Sequence, residues 1–213
     1  GDASALGAGN SLHFDGSAET NGSFAITGGA GGDTVTFGNA SALAASTFDG
    51  GAGHDTLILN GDFSGGFTFQ SGTIASVENL NFAGGHDYSI TMDDNIATGG
   101  ILVVDSQSLA AGDSLTFDGS AETDGRFTFL AGNGLESLKG GTQADGFAID
   151  TDNPYNVNDT FDGGAGFDTF YLLSLSNYTF SFGADTIHNI ERVMLTASAP
   201  SAAHLVMSDG SVA

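Results

Sequence analysis

Residues 50–58 read GGAGHDTLI, and this stretch decides the fold. Its first six residues carry turn chemistry. Gly adopts positive φ values that a side chain resists, and it lets other backbone approach closely. Asp is short, competes with helix and favours turns. The last three residues, Thr56, Leu57 and Ile58, suit a short strand with Leu57 turned to one face. Six residues of turn and three of strand form one nine-residue unit.

The unit recurs along the chain. Residues 28–36 read GGAGGDTVT and residues 163–171 read GGAGFDTFY. All three copies fit G-G-x-G-x-D-x-U-x, where U is a large apolar residue: Val35, Leu57 and Phe170. Residues 140–148, GGTQADGFA, are a weaker copy with Gln143 at the third Gly position. Residues 131–139, AGNGLESLK, are weaker still, with Glu136 in place of Asp.

A longer repeat surrounds the short one. Residues 2–24, DASALGAGNSLHFDGSAETNGSF, match residues 105–127, DSQSLAAGDSLTFDGSAETDGRF, at an offset of 103. Residues 47–59 match residues 160–172 at an offset of 113, and VENL at 77–80 matches IERV at 190–193. The chain therefore reads as two repeat units, 1–104 and 105–213, of one continuous solenoid. Gly28-Gly29 pairs with Gly140-Gly141 at 112, nine more than 103, so the second unit holds nine surplus residues, read as the block 131–139. An insertion of that size marks nine residues as a structural quantum.

The nonapeptide resembles the repeat of the RTX (repeats-in-toxin, haemolysin-type calcium-binding) family. FDGSAETDG, followed by GGAG-x-D and a V/I-E-N-L-like strand, is similar to units of large secreted bacterial RTX proteins. The resemblance implies an all-β, right-handed parallel β-solenoid of β-roll or β-helix type. Two nonapeptides, about 18 residues, would complete each coil. Ca²⁺ would lie between adjacent turns, held by Asp carboxylates and Gly carbonyls at about 2.3–2.6 Å.

Carried over residue by residue, the implied ligands fall in four turns. They are Gly28, Gly29, Gly31 and Asp33; then Asp49, Gly50, Gly51, Gly53 and Asp55; then Gly140 and Asp145; then Asp162, Gly163, Gly164, Gly166 and Asp168. The chain departs from an ideal array. Gly28 to Gly50 spans 22 residues and Gly140 to Gly163 spans 23, with FGNASALAAS and DTDNPYNVND between the turns. A clamp along one edge with longer loops on the other, and a few ions rather than one per turn, is the expectation. Asp15 and Asp118, in DGSAETN and DGSAETD, align with Asp49 and Asp162. They read equally as degenerate turns of the same edge or as ordinary Asx-turns.

Elsewhere, short β-rich runs recur about every ten residues, among them SLHF from Ser11, TVTF from Thr34, YSITM from Tyr88, ILVV from Ile101 and HLVM from His204. Many alternate apolar and polar residues, which is a strand signature. No long amphipathic helix and no capping segment is evident. With a first residue other than Met, the chain reads as a piece of a longer array.

Charge and composition exclude several functions. The chain has 26 acidic and 3 basic residues, a formal net charge of −23, and 21 of the acids are Asp. Nucleic-acid backbones need clustered Lys and Arg, so that partner is excluded. No apolar run approaches the ~20 residues of a membrane span. Zero Cys rules out disulfides, zinc-thiolate sites and cysteine nucleophiles. There is neither G-x-S-x-G nor H-E-x-x-H, so no enzyme is signalled. The five His are scattered, and Glu78 and Glu191 read as structural hydrogen-bonding groups in the coil.

The expected function is a calcium-stabilised structural segment of a secreted or cell-surface bacterial protein, of adhesin, filament or surface-layer type. It would leave through type I secretion and fold on Ca²⁺ outside the cell. The alternative is the RTX region of a secreted enzyme or toxin whose catalytic part lies outside these residues. Like subunits, neighbouring repeats and glycans remain open as partners.

Overall fold

A computed structural model describes residues 1–150, 156–173, 179–183, 185–196 and 204–207. These residues hold twenty strands and one short helix, numbered here in chain order. A nine-stranded front sheet joins β1 (His13–Gly16), β3 (Thr34–Phe37), β5 (Thr56–Leu59), β8 (Asn79–Phe82), β10 (Ile101–Asp105), β12 (Arg126–Leu130), β14 (Gly146–Asp150), β16 (Thr169–Leu173) and β19 (Arg192–Leu195). The return half of each coil runs through a back sheet. Three strands, β2 (Ala25–Thr27), β4 (Thr47–Asp49) and β7 (Ile74–Ala75), form one back sheet. Six more form the other: β6 (Phe63–Phe69), β9 (Asp87–Met92), β11 (Ser114–Asp118), β13 (Leu135–Lys139), β15 (Thr160–Asp162) and β18 (Ile187–His188). A further pair is β17 (Thr179–Phe182) with β20 (His204–Met207).

Neighbours in the front sheet pair in parallel and are separated by one circuit of the chain. That is a parallel β-solenoid, the fold class expected from the motif. The front sheet passes from one repeat unit to the next without a break, through the pairing of β8 with β10 and of β10 with β12.

Register measures the coils. His13 pairs with Thr34, Thr34 with Thr56, Thr56 with Asn79, Asn79 with Val103 and Ile101 with Arg126, so the coils lengthen from 21 to 25 residues. Thr128 then pairs with Gly146, a coil of 18 residues, before two of 23. The 18-residue coil consists of the two weak nonapeptides, 131–139 and 140–148. The first supplies β13 on the back and the second supplies β14 on the front. Nine residues are thus half a coil, which explains the size of the insertion.

Half a coil has a geometric consequence. Residues upstream of the insertion are displaced by half a circuit relative to their sequence mates. HFDG of the first unit is β1, in the front sheet, whereas SLTFD of the second is β11, in a back sheet. Downstream, the phase is restored. GGAGHD leads from β4 into β5, and GGAGFD leads from β15 into β16.

Every U residue points inward: Val35, Leu57, Phe147 and Phe170 are 0% exposed. Phenylalanine fills the second unit. Ring centroids run Phe117 to Phe129 at 5.4 Å, Phe129 to Phe147 at 4.7 Å, Phe147 to Phe161 at 6.0 Å, Phe161 to Phe170 at 4.9 Å and Phe170 to Phe182 at 5.5 Å. Each such burial stabilises by about 1.5–3 kcal/mol. In FGNASALAAS the chain makes helix α1 (Ala40–Ala44) instead of a strand. Asn39 caps it, its side chain accepting from the N–H of Ser41 at 2.8 Å. Ala42 and Leu43 bury against β6 and β3.

Candidate metal-binding edge

The motif aspartates lie where the chain turns from a back sheet into the front sheet. They point inward: Asp33, Asp55 and Asp168 are 0% exposed and Asp145 is 2%. A turn N–H that faces the neighbouring coil has no strand partner, and a buried N–H must find an acceptor. The carboxylates supply it. Asp33 Oδ1 accepts from the N–H of Leu12 at 2.5 Å, Asp55 Oδ1 from Asp33 at 2.6 Å, and Glu78 Oε2 from Asp55 at 2.9 Å. In the second unit Asp145 Oδ1 accepts from Phe127, Asp168 Oδ1 from Asp145 and Glu191 Oε2 from Asp168, each at 2.7 Å. Two ladders of the same design therefore run along one edge. Such charge-assisted bonds are roughly twice as strong as neutral ones. Glu78 and Glu191 end the ladders as structural hydrogen-bond acceptors.

The rungs are of two kinds. In the first turn of each unit both carboxylate oxygens are engaged: Asp33 Oδ2 accepts from Gly29 at 2.6 Å and Asp145 Oδ2 from Gly141 at 2.7 Å. In the second turn the backbone winds differently. Gly51 and Gly164 have φ of +95° and +84°, and Gly53 and Gly166 have φ of +137°. The N–H of Gly51 goes to Asp49 Oδ1 at 3.2 Å, and that of Gly164 to Asp162 Oδ1 at 3.0 Å. Asp55 Oδ2 and Asp168 Oδ2 are left buried with no hydrogen-bond partner.

At every rung a motif glycine borders both a backbone carbonyl oxygen and the Asp Oδ2. A Cβ added at Gly50 would strike the Ser76 carbonyl oxygen and Asp55 Oδ2, and one at Gly163 would strike the Asn189 carbonyl oxygen and Asp168 Oδ2. Ser76 and Asn189 occupy the same place in the two units. They are the non-glycine residues with positive φ among the described residues, at +51° and +50°. Strained backbone of this kind costs about 1–3 kcal/mol and persists where its surroundings over-determine it. In both units the carbonyl oxygen of this residue and the unpartnered carboxylate oxygen border the same glycine.

Burial raises several of the rung carboxyls, Asp55 and Asp168 among them. Burial raises the Asp55 carboxyl above its ordinary value, with Glu78 and Asp33 adding repulsion. Burial also pushes Asp168 up to about 6, with Glu191 and Asp162 adding repulsion. Asp145 rises to about 7 by burial, with Asp168 contributing. The ion pair found among the described residues, Lys139 with Asp162 Oδ2 at 3.8 Å, touches the rim alone. Among the described residues no basic side chain pairs with the ladder carboxylates, and their open donors are all oxygen, the donor set of a hard cation such as Ca²⁺.

The remaining implied ligands lie around this frame. Gly28, Gly29, Gly31, Gly50, Gly140 and Gly163 are buried within the stacked turns. Asp49, Gly51, Gly53 and Gly166 are exposed at the rim, with Asp162 and Gly164 partly so. The alignment of DGSAETN with the motif turns is corrected. Asp118 leads from β11 into β12, on the edge of Asp49 and Asp162, but Asp15 ends β1 and lies on the opposite edge. Both make Asx-turns, Asp15 Oδ1 accepting from Ser17 at 2.9 Å and Asp118 Oδ1 from Ser120 at 3.0 Å.

Two buried acids that hold backbone N–H groups escaped the motif search. Asp159 sits in DTDNPYNVND, which reads as outside the repeat and of which residues 151–155 lie outside the described residues. Asp159 nevertheless builds a rung on the opposite edge, Oδ1 accepting from Glu136 at 2.7 Å and Oδ2 from Asn156 at 2.7 Å. Burial pushes Asp159 up to about 7 and Glu136 to about 8. The available signal was the phase: in residues 154–162, Asp159 holds the motif Asp position and Phe161 the U position. The second is Glu122, 0% exposed. Its Oε2 accepts from Asn95 at 3.1 Å and Ile96 at 2.9 Å, and its Oε1 from Gly125 at 2.9 Å. Ligand atoms of Asp94, Glu122 and Asp124 lie within 4.8 Å of one another, but those of Glu122 are already bound by backbone N–H groups.

No family model matches this chain, and no curated protein or solved structure matches it either.

Proposed function

We propose that the chain is a calcium-stabilised structural repeat segment of a secreted or cell-surface bacterial protein, of adhesin, filament or surface-layer type. One observation carries the proposal: in each unit a buried Asp oxygen, Asp55 Oδ2 or Asp168 Oδ2, has no donor and borders the same glycine as a backbone carbonyl oxygen. Asp55 with the Ser76 carbonyl, and Asp168 with the Asn189 carbonyl, would hold Ca²⁺. Gly50 and Gly163 leave the room that a side chain would fill.

The chain's charge makes the cation a folding switch. At −23, self-repulsion opposes the compact state. Where Ca²⁺ is scarce, the buried carboxylates must be protonated or left uncompensated. Where it is millimolar, it neutralises them, and binding adds to stability by linkage. Ca²⁺ at a hundred times its dissociation constant adds about 2.7 kcal/mol per site. Export in an unfolded state through type I secretion belongs to the same reading and rests on the RTX resemblance. No catalytic role is assigned to these residues.

The test is metal content and far-UV circular dichroism before and after exhaustive dialysis against EGTA. The expected result is at least one retained Ca²⁺ per repeat unit and loss of most β-structure on chelation. A chain with no retained metal and an unchanged spectrum in EGTA overturns the proposal.

A further inference from the structure

The chain has three basic residues, Arg126, Lys139 and Arg192, and the two arginines line one groove on the outer face of the front sheet. The groove has a structural cause. Across β10, β12, β14 and β16 one paired row reads Val103, Thr128, Gly146, Thr169. Gly146 leaves a gap in that row, and a Cβ added there would meet the Tyr171 ring at 3.3 Å. The resulting depression has a volume of about 370 Å³, and Phe167, Tyr171 and Thr128 also line it, with Asp145 at its base, 2% exposed and both its oxygens bound by the N–H groups of Phe127 and Gly141. That volume falls in the range of small-ligand sites, roughly 300–1,000 Å³.

The groove's chemistry is unlike the rest of the surface. Arg192 donates from Nε to Thr169 Oγ1 at 3.1 Å, and its guanidinium carbon lies 5.6 Å from the centroid of the Phe167 ring. That side chain is held in place before any ligand arrives. In a chain with 26 acids, neither Arg126 nor Arg192 makes an ion pair within 4.0 Å among the described residues. Phe167 is 56% exposed. It holds the motif position taken by Gly32, His54 and Ala144 in the other turns. Exposed aromatic faces beside unpaired cations mark a binding surface more than a packing surface.

We infer that this groove binds a single carboxylate-bearing sugar residue at the end of an otherwise neutral glycan. A guanidinium fork matches a carboxylate bidentately. Phe167 and Tyr171 offer flat apolar faces to the C–H side of a pyranose. The Thr128 and Tyr171 hydroxyls suit its hydroxyl groups. The net charge selects against long anions: at −23, a polyuronate or an acidic peptide is repelled everywhere except at the groove. One acidic sugar brings the charge that two arginines can match and little more.

The experiment is an NMR titration of the full calcium-loaded chain with D-glucuronic acid, D-glucose and the acetylated peptide DGSAET. Glucuronic acid is expected to bind with a dissociation constant on the order of 1 mM, with glucose at least tenfold weaker and the peptide weaker than either. Arg192→Gln, Arg126→Gln and Phe167→Ala should each weaken glucuronate binding at least threefold without changing the melting temperature. Arg192→Lys keeps the charge, loses the fork and should also weaken it. Equal affinity for glucose and glucuronate, tighter binding of the peptide, no binding of glucuronate, or folded arginine variants that bind like the parent chain would each overturn the inference.

Discussion

The hexapeptide DGSAET occurs at residues 15–20 and again at 118–123, and its two copies have opposite fates. In the first, Glu19 is exposed. In the second, Glu122 is 0% exposed and holds backbone N–H groups of two coils, including those of Asn95, Ile96 and Gly125. Two things separate them. The nine residues of 131–139 displace everything before them by half a circuit and move DGSAET from one edge of the solenoid to the other. Glu122 also has beneath it the coil that carries Asn95 and Ile96, whereas among the described residues no coil lies beneath Glu19. Whether an acid in this repeat becomes a rung thus depends on its phase and on the coil it stacks upon.

The largest test of that comparison removes the phase element. Deleting residues 131–139 should put GGTQAD on the wrong edge, separate Asp145 from the N–H of Phe127 and abolish cooperative unfolding. Deleting residues 131–148, a whole coil, keeps the phase and should leave a cooperative transition at lower urea. Equal behaviour of the two deletions would falsify the half-coil account.

Next in size is the glutamate pair. Glu122→Ala strands buried backbone N–H groups and should cost about 3 kcal/mol or more. Glu19→Ala should stay within ~0.5 kcal/mol. Urea denaturation of both variants in calcium reads the difference directly.

A third test uses pH. In the folded chain Glu136 lies near 8, Asp145 and Asp159 near 7 and Asp168 near 6, against ordinary values of 4.5 for Glu and 3.8 for Asp. A raised folded value means that the folded state binds the proton more tightly than the unfolded one. The stability from these groups is therefore complete below about pH 4 and is lost as pH rises to about 8. In EGTA the β-structure read by circular dichroism should be retained near pH 5 and lost toward pH 8, and calcium should restore it at pH 8. A spectrum in EGTA that does not change with pH would exclude proton linkage at the ladders.

The smallest expected effect separates the two kinds of rung. Asp168→Asn removes a buried charge whose Oδ2 has no donor, so it should keep more β-structure than the parent chain in EGTA and destabilise the chain in calcium by about 1–2 kcal/mol. Asp33→Asn replaces an acceptor that two N–H groups use and should lower both. Circular dichroism in EGTA and thermal melts in calcium give the four values needed.

Much of this was legible in the sequence. The G-G-x-G-x-D-x-U-x pattern placed the turns and the inward U residues, because glycine and aspartate at fixed offsets leave few backbone conformations, and its resemblance to the RTX repeat implied the parallel solenoid. It also located Asp33, Asp55, Asp145 and Asp168 on one edge. Asp159 and Glu122 were hidden for a physical reason. Their turns lack the glycines, and an acid becomes a rung through the coil beneath it, whose N–H it accepts.

The sequence by itself determined the repeat, its nine-residue quantum and an acidity that no internal cation can balance, since these follow from residue types at short range. Tertiary structure alone decided which acids are buried, which carboxylate oxygens have no partner and that Arg126 and Arg192 line one groove. Those outcomes depend on register between coils 18 to 25 residues apart, and no single coil contains that information.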